Sequence, residues 1–309
     1  MTTTTHRLLL IVAVLLGPAV TAQDSKLKLL ATVPTYGRLA ETIGGDLIDV
    51  QVVCRPGQDI HGVAPTPSMM ARFRRSDLLI ATGLDAEPWL VPMLRSSDNA
   101  RLLPGIPSNR VLLLSDGIPL KQVPAVITRA AGDVHAFGNT HVWTDPYHVR
   151  TMAGRVKDLL VAHLPEHADE IQARHKTFHD KLTKALIDWI RRLQTVSDKQ
   201  LVVFHQSWIY LLERFGIERV GTLEPKPRMP PTPSHLATLV TTMKARGTKI
   251  ILREPWNYPA AADTLAKDVD GTVLVLSTHP GYPDGVDGVI EHFEHNVTEL
   301  ERVLSKSDR

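Results

Sequence analysis

Eight short apolar runs, each followed by a longer segment with helical periodicity, constrain the fold of this chain more than any other feature. Short apolar runs bounded by turn residues are typical of buried parallel strands, and helices usually connect such strands. The expected strands span residues 28–33, 49–54, 78–82, 111–114, 200–204, 219–223, 249–252 and 272–276. The pattern predicts an α/β protein with mostly parallel sheets flanked by helices.

The middle of the chain has a different pattern. Segments 147–162 and 166–196 contain no Gly or Pro apart from Gly154. In the second segment apolar residues recur at helical spacing, namely Ile171, Phe178, Leu182, Leu186, Ile190 and Leu193. We therefore expect one long rigid spine helix between two α/β lobes. The expected boundaries are 23–145 for the N-terminal lobe, 146–197 for the helical segment and 198–309 for the C-terminal lobe.

The N-terminus, residues 1–22, is typical of a secretory signal peptide. Arg7 precedes an apolar run, and the small residues Val20 and Ala22 stand at the −3 and −1 positions of a cleavage site before Gln23. The run is far shorter than the roughly 20 residues of a membrane span. No cysteine follows the cleavage region, so we expect no lipid anchor. These observations predict a soluble periplasmic monomer.

Charge and cysteine content exclude several classes of function. Lys and Arg number 35 against 33 Asp and Glu, a net charge of +2, so the electrostatic footprint that nucleic-acid binding needs is absent. The single cysteine, Cys54, falls inside a predicted strand. We interpret it as a small buried hydrophobe, not as a metal ligand or nucleophile.

Three histidines stand on turns that follow predicted strands or precede a helix. His205 comes directly after strand 200–204, and His61 lies in the proline-rich loop PGQDIHGVAPTPS. His141 lies in GNTHVWTDP, where Asp145 can cap a helix. Ligands of open α/β sheets bind outside the carboxyl ends of the strands. Each histidine alone could simply bond a loop carbonyl, but together they predict a metal site between the lobes.

Five stretches, in order, resemble motifs of the periplasmic solute-binding proteins of zinc and manganese ABC transporters (cluster A-I). They are PGQDIHGVAPTPS, SDLLIATGLDAEPWL, GNTHVWTDP, VVFHQSWIYLLERFG and LEPKPRMPPTPSHLATLV. The resemblance covers nearly the whole chain after residue 28. It implies two lobes linked by a rigid helix, and a cleft metal held by His61, His141 and His205. It also implies an ABC membrane permease as partner, with a periplasmic metallochaperone as a further candidate.

The fourth ligand of the family is an acidic residue just after the last strand of the second lobe. Ser277 stands at about that place in this sequence. His279, Asp284, Glu254 or a water molecule could take over the role, and the sequence leaves these alternatives open.

The nitrogen-rich ligand set favours zinc over manganese, because imidazole suits zinc and four-coordination needs only one further donor. The predicted function is capture of zinc in an interlobe cleft and delivery to an ABC permease. A manganese carrier of the same family and a three-histidine zinc hydrolase are the alternatives. No HExxH, nucleophile elbow or paired-carboxylate motif accompanies the histidines, so we expect no enzymatic activity.

Other polar residues are interpreted as structural. His175 and His179 stand four residues apart beside the apolar stripe of the spine helix, which favours packing over metal binding. The stretch EHFEHN, residues 291–296, is expected to be a solvated helix face. Glu224, among several prolines, is expected to shape a cleft-side loop and not to perform chemistry.

Overall fold

The computed structural model describes residues 26–106, 108–124, 137–197, 199–226 and 229–305. The predicted signal peptide lies outside these residues. Each of the eight apolar runs forms a strand, and the strands are β1 (Leu27–Ala31), β2 (Ile48–Val52), β3 (Leu78–Ala81), β4 (Val111–Leu113), β5 (Gln200–Val203), β6 (Glu218–Thr222), β7 (Ile250–Arg253) and β8 (Thr272–Val275).

Helices connect the strands and flank the sheets. They are α1 (Pro34–Gly44), α2 (Pro67–Arg75), α3 (Leu90–Ser96), α4 (Pro146–His163), α5 (Ala168–Gln194), α6 (Ile209–Arg214), α7 (Pro233–Arg246), α8 (Pro259–Val269) and α9 (Val289–Leu304). Several begin with proline at the first helical position, where its missing N–H costs nothing, after a Thr or Asp that caps the helix. None of the described helices is long and apolar enough to cross a membrane.

The strands form two four-stranded sheets, one in each lobe. The strand orders are β2-β1-β3-β4 and β6-β5-β7-β8, and every described pairing is parallel. The predicted α/β fold with two parallel sheets is therefore confirmed. In such a sheet all strands end at the same edge, and in both lobes residues that follow strands reach the site described below.

The predicted spine is α5, a helix of 27 residues. Its buried stripe comprises Ile171, Phe178, Leu182, Leu186, Trp189 and Leu193. The helix packs against α1, α4 and α9. Trp189 donates a hydrogen bond to Glu294 of α9 at 2.7 Å, and Arg192 pairs with the same carboxylate at 2.6 Å. The spine thus contacts both lobes.

Hydrophobic packing joins the lobes into one body. A single core cluster runs from the first sheet through the spine into the second lobe, and it includes Leu30, Leu182 and Phe293. A smaller cluster fills the space between the second sheet and helices α7 and α8, around Leu239 and Leu265. Because the main core is shared, relative movement of the lobes would disturb buried packing.

The expectation for EHFEHN is wrong for half of its residues. These residues lie in the first half of α9, which packs on the spine, so His292, Phe293 and Asn296 are buried while Glu291 and Glu294 remain exposed. Cys54 is 1% exposed, and burial raises the pKa of its thiol to about 12, as suits a small buried side chain without nucleophilic character.

Candidate metal centre

The three predicted histidines lie together at the junction of the lobes. His61, His141 and His205 each place one ring nitrogen within 4.8 Å of the others. The Nε2 atoms of His61 and His141 are 3.4 Å apart. His61 and His141 are almost fully buried, and the side chain of His205 is 15% exposed. The fold therefore brings residues from distant parts of the sequence into the arrangement that a metal ion requires.

A tight loop after β2 presents His61. Gly57 has a positive φ of 70°, which the turn at Pro56–Gly57 requires and which glycine adopts without strain. The Asp59 carboxylate accepts the His61 N–H at 2.9 Å and begins a short 3-10 helix, Ile60–Gly62. The Nδ1 of His61 lies 2.9 Å from the carbonyl of Ala86. A carbonyl only accepts, so Nδ1 carries the proton and Nε2 is the unprotonated nitrogen.

His141 lies between β4 and α4. The side-chain oxygen of Asn139 accepts the backbone N–H of His141 at 3.0 Å and lies 3.1 Å from its Nδ1. Asp145 caps α4 by accepting the N–H of Tyr147 at 2.8 Å, as the sequence predicts. The Trp143 ring packs 5.2 Å from the His141 ring and lines the cavity.

His205 follows β5 after a single residue, and its Nδ1 lies 2.6 Å from a carboxylate oxygen of Glu224. Burial alone would lower the pKa of His205, but the hydrogen bond to Glu224 and the charges of nearby carboxylates raise it. In all three histidines Nδ1 faces an acceptor, so the Nε2 atoms are the nitrogens able to bind a metal.

The contact between Glu224 and a candidate ligand was not predicted from the sequence. Glu224 follows β6 just as His205 follows β5, and the two strands are neighbours with Val203 opposite Thr222. Extending that register by two residues places Glu224 opposite His205. Strand adjacency was the signal that could have found it.

A cavity of about 40 Å³ adjoins the three histidines. Its wall comprises Gln58, Asp59, Ile60, His61, His141, Trp143, His205, Ser207, Glu224, Trp256, Asn257, Thr278 and His279. Of the candidates for a fourth donor, only His279 is in this wall. Its Nδ1 lies 3.0 Å from the Thr35 hydroxyl, and its ring stacks on Trp143 at 5.1 Å.

The other side chains considered for the fourth position are not in the cavity wall, although the charges of Glu254 and His205 interact. The Ser277 hydroxyl donates to the carbonyl of His279 at 2.8 Å and accepts the His279 N–H at 3.1 Å, so it is turned into its own loop. Asp284 is exposed. Glu254 is fully buried, and burial raises its pKa to about 7. The Ser207 side chain is near enough to favour the charged form of Glu254. Neither carboxylate oxygen of Glu254, however, has a hydrogen-bond partner of good geometry.

The other histidines that the structure describes form no comparable site. The rings of His175 and His179 are 5.9 Å apart on α5. Within the described ranges, the cleft histidines are the one group of three His, Cys, Asp or Glu side chains that converges as a metal site would.

Sequence comparison relates the chain to known metal-uptake proteins. The family model described as ZnuA, zinc-uptake complex component A periplasmic, matches residues 29–303. The zinc-binding protein AdcA of Streptococcus pyogenes serotype M6 is 26% identical over 267 residues, which are 84% of this chain and 51% of AdcA. The chain thus spans about half the length of that relative. The high-affinity zinc uptake system protein ZnuA of Yersinia pestis is 24% identical over 242 residues, 75% of this chain and 76% of that protein.

Solved structures share the fold. A crystal structure of ZnuA superposes with a TM-score of 0.75 at 19% identity and covers 91% of this chain and 100% of its own. A periplasmic metal-binding protein from Candidatus Liberibacter asiaticus, solved with cadmium, gives a TM-score of 0.75 at 20% identity over 90% of this chain and 100% of that chain.

Proposed function

The chain belongs to the ZnuA family of periplasmic zinc-uptake components, and from this premise we propose that it captures one zinc ion through His61, His141 and His205 for delivery to the permease of an ABC transporter. Members of this family are solute-binding transport proteins, and the protein is not an enzyme. Zinc is the transported cargo. A periplasmic metallochaperone that loads the site is a further candidate partner.

The observation that carries the proposal is the shared orientation of the three imidazoles. Each Nδ1 faces an acceptor supplied by the surrounding chain, namely a carbonyl, an amide oxygen and a carboxylate. One ring nitrogen of each histidine lies within 4.8 Å of the other two, so the ligands are already close together before an ion arrives, which lowers the entropic cost of binding. This arrangement also resembles the histidine second shells of known zinc sites.

Zinc is favoured over manganese by the chemistry of the donors. Neutral imidazoles bind zinc well, whereas manganese prefers carboxylate, carbonyl and water oxygens. A given site also generally binds zinc more tightly than manganese. A tetrahedral zinc needs one more donor. We propose His279 or a water molecule for this position, because His279 is the one side chain among the earlier candidates in the cavity wall.

A metal titration tests this proposal. Metal-stripped protein is titrated with zinc and with manganese against a competing chelator. We expect one zinc per chain and much weaker manganese binding. Single replacement of His61, His141 or His205 by Ala should lower zinc affinity by at least about 100-fold, since each removes a ligand. His175→Ala is the control and should bind as the wild type does.

Two outcomes would contradict the proposal. An equal loss of affinity in His175→Ala would place the site elsewhere, and tighter binding of manganese than zinc would favour the manganese carrier. For the location, we propose export with cleavage before Gln23. Mass spectrometry of the exported protein checks this, and a retained N-terminus or a lipid adduct would refute it.

A further inference from the structure

Asn139 is a buried residue, 9% exposed, whose side chain bonds to groups on both sides of the cleft. Its side-chain oxygen serves His141, accepting the backbone N–H at 3.0 Å and facing Nδ1 at 3.1 Å. Its amide nitrogen donates to the carbonyl of Gln206 at 2.8 Å and to the side chain of Gln122 at 2.9 Å. Every polar atom of the side chain is therefore used.

These partners fix the orientation of the amide and, through it, the tautomer of His141. A backbone N–H can only donate and a backbone carbonyl can only accept, so the oxygen must face His141 and the nitrogen must face Gln206. The same oxygen faces Nδ1 of His141, which must then carry the proton. The unprotonated nitrogen of His141 is consequently Nε2, which lies toward His61.

The bond to Gln206 crosses between the lobes. Gln206 directly follows His205, so one side chain contacts the second proposed ligand and the backbone beside the third. The backbone of Asn139 adds a further link, because its carbonyl accepts the Tyr210 hydroxyl at 2.7 Å. Asn139 therefore links the His141 turn directly to the His205 turn, beside the bonds Thr144–Ser207 and Asp145–Arg214, and it is the one of these links that also contacts a proposed ligand ring.

We infer that Asn139 is a positioning residue that sets the Nδ1–H tautomer of His141 and locks its placement relative to the His205 turn. The inference rests on the proposed function, since it concerns the geometry of the same zinc site. In this role Asn139 slows the loss of zinc by holding ligands from the two lobes in register.

Two substitutions separate the two halves of this role. Asn139→Leu has a similar shape and makes none of the side-chain bonds. Asn139→Asp still accepts from His141 but cannot donate to Gln206. The measurements are the His141 tautomer by ¹⁵N NMR of the metal-stripped protein, zinc affinity, and the zinc dissociation rate after addition of excess chelator.

We expect Asn139→Leu to lose about 10–100-fold in zinc affinity and to populate the Nε2–H tautomer of His141. Asn139→Asp should keep the Nδ1–H tautomer yet release zinc about tenfold faster than the wild type. The added negative charge would by itself retain a cation, so faster release would point to the lost donor bonds of the amide and not to the change of charge.

Asn99→Asp is the matched control. Asn99 is likewise a buried asparagine that donates to two backbone carbonyls, those of Phe73 and Ser76, but it lies away from the histidines. Its replacement should lower the unfolding temperature without changing the His141 tautomer or zinc release. Comparison with Asn139→Asp separates lost stability from lost positioning.

Several results would overturn the inference. An Nε2–H tautomer of His141 in the wild-type protein refutes it without any variant. Wild-type affinity and tautomer in Asn139→Leu would do the same, and unchanged or slower release in Asn139→Asp would refute the interlobe lock. If the wild type binds no zinc at all, the proposed function fails instead, and the tautomer measurement still tests Asn139.

Discussion

Single residues decide the chemistry of the cleft, and the three proposed ligands differ in what holds them. His61 is held by a carbonyl, His141 by an amide oxygen and His205 by the carboxylate of Glu224. The carboxylate is the strongest acceptor of the three, and it raises the basicity of the ring to which it is bonded. His205 should therefore be the most strongly donating ligand.

Glu224→Ala should lower zinc affinity by about 10–100-fold, because His205 loses the group that orients it and strengthens its Nε2. Glu224→Gln keeps an acceptor oxygen and should recover part of the loss. Chelator competition measures both effects. Glu218→Ala is the control, since Glu218 lies on the same strand but pairs with Arg246 at the surface. Wild-type affinity in Glu224→Ala would show that the carboxylate has no part in binding.

At the scale of elements, the apolar runs predicted all eight strands within two residues of their ends, and the helical period predicted α4 and α5. Burial of a whole strand or stripe leaves a repeated signal in the sequence. The loops leave none, which is why the sequence leaves the fourth donor open among His279, Asp284, Glu254 and water; of these side chains His279 lines the cavity. The prediction of a solvated face for EHFEHN was wrong because α9 packs on α5, a helix that is distant in sequence.

The loops at the rim of the cavity touch across the lobes. Gly281, near His279, has a φ of 91°, and a Cβ built on it would lie 2.5 Å from the Pro56 ring in the His61 loop. Gly285 has a similar φ of 87° with nothing within 4 Å of such an atom. Comparing alanine substitutions at Gly281 and Gly285 therefore distinguishes the cost of backbone strain from the cost of disturbing the contact between the loops.

Gly285→Ala should cost about 1–2 kcal/mol of stability from the left-handed backbone alone. Gly281→Ala should cost about 1–3 kcal/mol more, because the methyl group overlaps Pro56, and it should weaken zinc binding by displacing the His61 loop. Urea unfolding and zinc titration of both variants check this. Equal effects in the two variants would show that the rim contact does not position His61.

For the whole molecule, buried histidines predict how stability depends on pH. His292 of α9 is almost fully buried. Burial, and to a smaller extent the charge of His295, lowers the pKa of His292 to about 3. Burial likewise lowers the pKa of His279. Between about pH 6.5 and 3 the unfolded chain binds a proton at His292 that the folded chain does not, so stability falls as the pH falls.

His292→Leu should therefore reduce the loss of unfolding free energy between pH 7 and pH 5, where this group contributes up to about 1.4 kcal/mol per pH unit. Urea unfolding in the presence of a chelator measures it without interference from metal release. His179→Leu, at a half-exposed position on the spine, is the control. An unchanged slope in His292→Leu would mean that other groups govern the acid sensitivity.

The contacts between the lobes near the site have a consequence for uptake. Asn139 donates a hydrogen bond to Gln206 and accepts one from Tyr210, and Arg214 forms an ion pair with Asp145 at 2.8 Å. None of these bonds uses a proposed ligand ring. Loaded and empty carriers should therefore have nearly the same outline. A permease that recognises only the shape of the carrier would then bind zinc-free carriers as well as loaded ones. When zinc is scarce, excess carrier should therefore slow zinc import, because zinc-free carriers compete for the permease.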